Sequence, residues 1–225
     1  MTPFSCVLVG NESLLVECAK LLLGRGHGIA TVASRNPDVI AWAEGAGIPV
    51  VAPGKGVEGR IAGGFDWLLS IANLTVLPEA LIARARIGAV NFHDGPLPER
   101  AGLNAPVWAL LNGEKLHGIT WHRIEGGIDE GRILEATAFE ISPEDTAFSL
   151  NARAYAAAIE TFPALISALE RGEPGRVQDL SRRGLTLRDD RPAKPGSTSS
   201  VPWSTDPKMR GLAARKRPPR VRRFV

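Results

Sequence analysis

Phe4-Ser5-Cys6-Val7-Leu8-Val9 runs directly into Gly10-Asn11, and Leu14, Leu15, Cys18, Leu21 and Leu22 follow. The first run is short and apolar and reads as a buried strand. The second set recurs every three or four residues, the stripe of a helix with one apolar face. Asn11 is placed to cap that helix, which the pattern predicts over residues 12–25. Gly24, Gly26 and Gly28 break it, and residues 29–33 read as a second strand. Strand, helix and strand within about thirty residues point to a parallel sheet covered by helices.

The same alternation continues outward. Asn36-Pro37 opens a second helix, because Asn caps well and Pro suits the first helical position. Gly45 or Gly47 stops it before a strand at residues 48–52. Further strands are predicted at residues 67–72 and 89–93, with a short helix at 78–84 between them. A helix at 104–112 follows, then strands at 118–124 and 132–139 joined by a turn-rich segment. A long amphipathic helix begins at Ser142-Pro143-Glu144-Asp145 and ends at Arg171-Gly172. The expected architecture is α/β: a doubly wound, mostly parallel sheet over residues 1–184, extended by two later strands and the long helix. Residues 185–225 are rich in Pro, Ser and Arg and are expected to form a disordered basic C-terminal tail.

Composition narrows the function classes. Of 225 residues, 44% are hydrophobic and 23% charged, which suits a folded domain rather than a disordered chain. No apolar run approaches the ~18 residues that span a bilayer, and the first residues do not read as a signal peptide. A cytoplasmic protein with no membrane partner is expected. Cys6 and Cys18 lack CxxC spacing, so buried reduced thiols are expected, not a disulfide or a zinc site. Residues 201–225 hold eight Lys or Arg against one acid, Asp206, although the whole chain is only +3. The body is therefore mildly acidic, and the overall basicity is no argument that it binds nucleic acid. Gly10-Asn11-Glu12 is not GxGxxG, and Pro53-Gly54-Lys55-Gly56 matches a phosphate loop only faintly. His27 and His117 read as surface or turn residues.

The segment that carries chemistry is Asn91-Phe92-His93-Asp94-Gly95-Pro96-Leu97-Pro98. It ends a predicted parallel strand, and ligands in α/β sheets bind beyond such ends. Residues two apart on a strand share a face, so Asn91 and His93 project together. An uncharged donor beside a titratable ring suits stabilisation of an oxyanion with proton transfer. The plainer alternative is a turn-capping Asn91 and an ordinary half-buried His93. Downstream, Gly118-Ile119-Thr120-Trp121-His122 leads to Gly126-Gly127-Ile128-Asp129-Glu130-Gly131. A carboxylate among glycines can approach a histidine closely, although Asp129 alone also fits a turn. Trp121 fits a place in the core.

Taken together, these segments resemble the folate-dependent formyltransferase family. That family carries Asn-x-His, a loop ending in Leu-Pro then Gly, Ala-Pro before a tryptophan-bearing helix, Gly-x-Thr-x-His and Asp-x-Gly. The counterparts are Asn91 and His93, Leu97-Pro98 and Gly102, Ala105-Pro106 with Trp108, Gly118 to His122, and Asp129-Glu130-Gly131. The resemblance implies a Rossmann-like formyltransferase fold and Asn91, His93 and Asp129 as a catalytic trio. It implies 10-formyltetrahydrofolate as co-substrate, no metal, and a donor site against Ile71, Leu77, Leu97, Gly126 and Ile128. The implied activity is formyl transfer to the amine of a small-molecule or carrier-bound acceptor. A formyltetrahydrofolate hydrolase and a catalytically inactive folate-binding domain are the alternatives. Departures lie beside the acceptor: Asp94-Gly95-Pro96 where many relatives have Pro-Ser-Leu, and Arg100-Ala101 where they often have an aromatic and a basic residue. The chain after Leu169 is short and poor in apolar strands for the added β-barrel of the methionyl-tRNA enzymes, so a tRNA acceptor is less expected.

Overall fold

The computed structural model describes residues 3–187 and residue 190. Its core is a seven-stranded sheet of order β3-β2-β1-β4-β5-β7-β8. The strands are β1 (Ser5–Val9), β2 (Gly28–Ala33), β3 (Val50–Val51), β4 (Phe65–Ser70), β5 (Ala85–His93), β7 (Leu116–Arg123) and β8 (Ile133–Glu140). The first five are mutually parallel, and β7 and β8 add antiparallel. This is the doubly wound, mostly parallel sheet expected, with the two later strands at one edge.

Alternation along β1 sorts the core into two layers. Cys6 and Leu8 pack with Leu14, Leu15, Cys18 and Leu22 of α1 (Ser13–Gly24) and with Phe162, Leu165 and Ile166 of α6 (Ala147–Glu170). Val7 and Val9 face the other way, onto Val57 of α3 (Val57–Arg60) and Leu81 of α4 (Glu79–Ile82). Leu14, Leu15 and Leu22 are at most 1% exposed, and burying each contributes about 2 kcal/mol. Both cysteines are buried and free, and burial pushes both thiols up, which keeps them protonated and inert.

Several boundaries differ from the sequence reading. Glu12, not Asn11, precedes α1 and makes no side-chain cap. Asn11 Oδ1 instead accepts from the Arg35 N–H at 2.8 Å, tying the end of β1 to the end of β2. Asn36 does cap α2 (Pro37–Gly45), accepting from the Asp38 N–H. The long helix starts at Ala147, because Thr146 and Ser149 form a reciprocal capping box that outcompetes Ser142. His27 and His117 are not surface residues. His27 is 4% exposed, stacks on Phe4 at 3.8 Å, and lies 3.0 Å from Glu170 Oε1. His117 is fully buried on β7, edge-on to Phe139 at 5.8 Å. Trp121 is fully buried in the core, as expected.

The chain past residue 184 also departs from the expected tail boundary. Leu185–Thr186 forms strand β9, which pairs with β6 (Ala101–Gly102) in a two-stranded sheet. The backbone pairing of two residues decides this, and such a short pair leaves no periodic signal. The expectation of disorder for the rest of the tail lies, apart from residues 187 and 190, outside the described residues. No helix among the described residues is long and apolar enough to cross a membrane.

Candidate active site

Phe92 anchors the end of β5. Its ring lies 5.1 Å from Trp121 and 6.1 Å from Tyr155, on the α6 side of the sheet. With Phe92 held there, alternation sends Asn91 and His93 to the opposite face. Across the antiparallel ladder, Asn91 faces His122 and His93 faces Thr120. The two strands therefore deliver four polar side chains to one patch.

Each is held by specific partners. Thr120 Oγ1 donates to the Gly95 carbonyl at 2.9 Å and accepts from the Leu97 N–H at 3.1 Å, which pins the loop leaving β5. Gly95 is required there, because a Cβ would sit 2.7 Å from the Ala105 Cβ and 3.0 Å from His93 Nε2. His93 Nε2 donates to the Arg100 carbonyl. That fixes the ring and leaves Nδ1 toward two carboxylates, 3.6 Å from Asp129 Oδ2 and 3.9 Å from Asp94 Oδ1. The His93 side chain is only 5% exposed. His122 Nδ1 donates to the Arg123 carbonyl at 2.9 Å, and its Nε2 lies 3.2 Å from Asn91 Nδ2 and 3.4 Å from Asp129 Oδ1.

Asp129 reaches this patch from the loop between β7 and β8. Its φ is +54°, a left-handed conformation that costs a non-glycine residue about 1 kcal/mol. Its Oδ2 accepts from the Gly102 N–H at 2.8 Å. Burial pushes this carboxyl up, but the hydrogen bond with His122, the charge of His93 and the Gly102 N–H outweigh it and hold the pKa at about 2. Asp129 is thus a fixed negative charge between two imidazoles. Asp94 behaves oppositely: burial raises its carboxyl, against the pull of His93. The arrangement can donate hydrogen bonds to a developing oxyanion from Asn91 and His93, and Asp129 can stabilise and relay a proton beside them.

The sequence singled out Asn91, His93 and Asp129, and the fold gathers all three. His122 was quoted only as the end of the Gly-x-Thr-x-His motif and given no role; the fold sets it against both Asn91 and Asp129. The residues named for a donor molecule are spread over several loops. Ile71 is buried at the β1/β4 switch point, and its N–H donates to the Val9 carbonyl at 2.8 Å. Leu77 is partly buried. Leu97 is 6% exposed, with its N–H engaged by Thr120. Gly126 has a φ of +71°. Ile128 is 53% exposed, and its carbonyl accepts from Arg183 at 2.6 Å. Among the described residues no group of three or more His, Cys, Asp or Glu is arranged to hold a metal ion.

Residues 65–166 match the family model described as formyl transferase. A methionyl-tRNA formyltransferase of Anaeromyxobacter sp. (strain K) is 31% identical over 186 residues, 75% of this chain and 59% of that protein. A GDP-perosamine N-formyltransferase of Brucella melitensis is 34% identical over 113 residues, 50% of this chain and 44% of that protein. The chain thus spans about half the length of these curated relatives. Among solved structures, the N-formyltransferase of Helicobacter canadensis, in complex with folinic acid and dTDP-3-aminofucose, superposes with a TM-score of 0.71. It is 19% identical, and the match covers 85% of this chain and 73% of that one. Glycinamide ribonucleotide transformylase 1 of Symbiobacterium toebii gives 0.69 at 23% identity, covering 78% and 93%. The matched segment runs from β4 into α6 and contains Asn91, His93 and Asp129, so over residues 65–166 the chain carries a segment of the formyl transferase family.

Proposed function

We propose that the protein transfers a formyl group from 10-formyltetrahydrofolate to an amine of a small-molecule or carrier-bound acceptor. The observation that carries this reading is the 3.6 Å approach of Asp129 to His93, with Asn91 two residues before His93 on the same strand face. Three side chains from two distant segments meet where an amine could attack a carbonyl. The relatives support the class of reaction, since those matched in sequence are named for formyl transfer to tRNA or to a sugar amine.

The residues divide the work. The acceptor nitrogen attacks the formyl carbon, and negative charge develops on the formyl oxygen. The Asn91 amide N–H and a protonated His93 donate to that oxygen. One such donor is worth roughly 3 kcal/mol of barrier. Asp129, ionised at any physiological pH, orients His93 and accepts the proton shed by the attacking nitrogen. That proton passes to the folate nitrogen as the carbon–nitrogen bond to the folate breaks, so a formamide and tetrahydrofolate leave. Arg100 contributes through its main chain, by holding His93 Nε2. The donor site would draw on the main chain and apolar side chains around Ile71, Leu77, Leu97, Gly126 and Ile128. The loop that joins β4 to α4 exposes Leu74 and Val76, which suits a flat heteroaromatic ring.

The test is to incubate the protein with 10-formyltetrahydrofolate, with and without a panel of amines, and to follow tetrahydrofolate. Release that depends on the amine is the expected result. Amine-independent release would make the protein a hydrolase, and folate binding with no release would make it a binding domain.

A further inference from the structure

The chain that follows α6 lies beyond the segment matched by the family model, yet it touches the Asp129 loop repeatedly. Arg176 bridges to Ile133 at the start of β8. Two residues on, the Gln178 side-chain amide donates to the Asp129 carbonyl at 2.9 Å and to the Gly131 carbonyl at 2.6 Å. Gln178 is 6% exposed, and its Oε1 has no partner among the described residues. The amide is therefore held there for its donor side alone. Arg183 Nη2 donates to the Ile128 carbonyl at 2.6 Å, and its Nη1 lies 3.3 Å from Glu130 Oε1. Beyond it, β9 pairs with β6, whose Gly102 N–H donates to the Asp129 carboxylate.

We infer that Gln178 is a positioning residue for formyl transfer, and that the strap from Arg176 to Thr186 holds Asp129 against His93 and His122. The inference rests on the reading of Asp129 as part of the transfer site. Residues 127 to 131 have little internal hydrogen bonding of their own, one long 3.4 Å bond from the Glu130 N–H to the Gly127 carbonyl and one from the Gly127 N–H to the Glu130 side chain. With Asp129 in a left-handed conformation, such a loop does not fix a carboxylate to a fraction of an ångström. Gln178 spans it from outside by binding the carbonyls on both sides of Glu130. Arg183 binds the carbonyl just before Asp129. The strap thus sets the main chain from which the Asp129 carboxylate projects, and the Gly102 N–H sets the carboxylate itself.

The experiment uses the full chain with Gln178→Met, which keeps the length and removes the donor. Imidazole 15N spectra are recorded for the wild type, Gln178→Met and Asp129→Asn, alongside steady-state rates with 10-formyltetrahydrofolate and an accepted amine. We expect the His93 and His122 signals of Gln178→Met to move toward those of Asp129→Asn. We expect kcat to fall by about 10- to 100-fold while both KM values change less than about threefold. Arg183→Met acts on the same loop from its edge and should shift the same signals less, so the idea stays testable if Gln178→Met folds poorly. Unmoved imidazole signals with kcat per folded molecule unchanged would overturn the positioning role. Shifted signals in a protein whose wild type transfers no formyl group would uphold the strap and overturn the proposed function.

Discussion

The two halves of the site are built on different principles. Asn91 and His93 sit at the end of a strand whose neighbours on both sides are paired, and Phe92 between them is locked into an aromatic cluster with Trp121 and Tyr155. Asp129 sits on a glycine-rich loop whose shape is imposed by side chains and backbone from elsewhere. The first half is fixed by packing and the second by hydrogen bonds. Packing is local in sequence pattern, and tolerance to change should be low throughout the core. A loop fixed by hydrogen bonds should lose function before it loses the fold.

Substitutions in the reacting groups should have the largest effect and little effect on folding. Asn91→Ala and Asp129→Asn should each lower turnover by ~100-fold or more, with far-ultraviolet circular dichroism unchanged. Comparable rates in either variant would break the equivalence of the two halves as parts of one site.

A pair of glycine substitutions sharpens the contrast. A Cβ on Gly10 would lie 1.9 Å from the Ile71 carbonyl oxygen, at the centre of the sheet. Gly10→Ala should lower stability by about 3 kcal/mol in urea denaturation. A Cβ on Gly102, whose φ is +90°, would lie 2.0 Å from the Thr186 carbonyl oxygen, between β6 and β9. Gly102→Ala should cost only about 1 kcal/mol yet lower kcat severalfold. A Gly102→Ala protein as active as wild type would remove the strap from the account.

The pH dependence of stability separates the sheet interior from the Asp129 loop, through two groups shifted below their ordinary values, buried His117 and part-buried Asp129. Burial holds His117 at about 4 against an unfolded 6.5, outweighing the upward pull of the Asp94 backbone. Between those values the unfolded chain binds a proton that the folded chain refuses, so stability falls as pH drops from about 6.5 to about 4. The loss is at most about 3 kcal/mol, and His117→Phe should remove it. Asp129, at about 2 against 3.8, contributes stability that is lost only as pH falls through that lower window. Asp129→Asn should erase that smaller component, about 2 kcal/mol, and leave the upper window alone. Thermal melts between pH 2 and 7 read both.

The parallel half was legible because a buried strand or an amphipathic helix writes its burial into adjacent residues. Asn91 and His93 were legible for the same reason, through the two-residue period of β5. Asp129 was visible as a carboxylate among glycines, although its approach to His93 was not measurable from spacing. The contact of His122 with Asn91 and the whole role of Gln178 were hidden, because each spans a large sequence separation that a one-dimensional pattern does not record. His117 was misread as a surface residue. It stands two and four residues before Ile119 and Trp121, so strand alternation places it on the face covered by α6, where a lone polar letter draws no attention. Asn11 was misread as a cap because the loop at the end of β2 competes for its side chain.

The most direct measurement is a single-turnover comparison of wild type and His93→Ala, with 10-formyltetrahydrofolate bound and an accepted amine added. Donor affinity is read separately from quenching of tryptophan fluorescence. The account predicts a rate at least ~100-fold slower in the variant, with donor affinity changed by less than about threefold. Equal rates, or a loss of rate that follows loss of donor binding alone, would contradict the assignment of His93 to the reacting carbonyl.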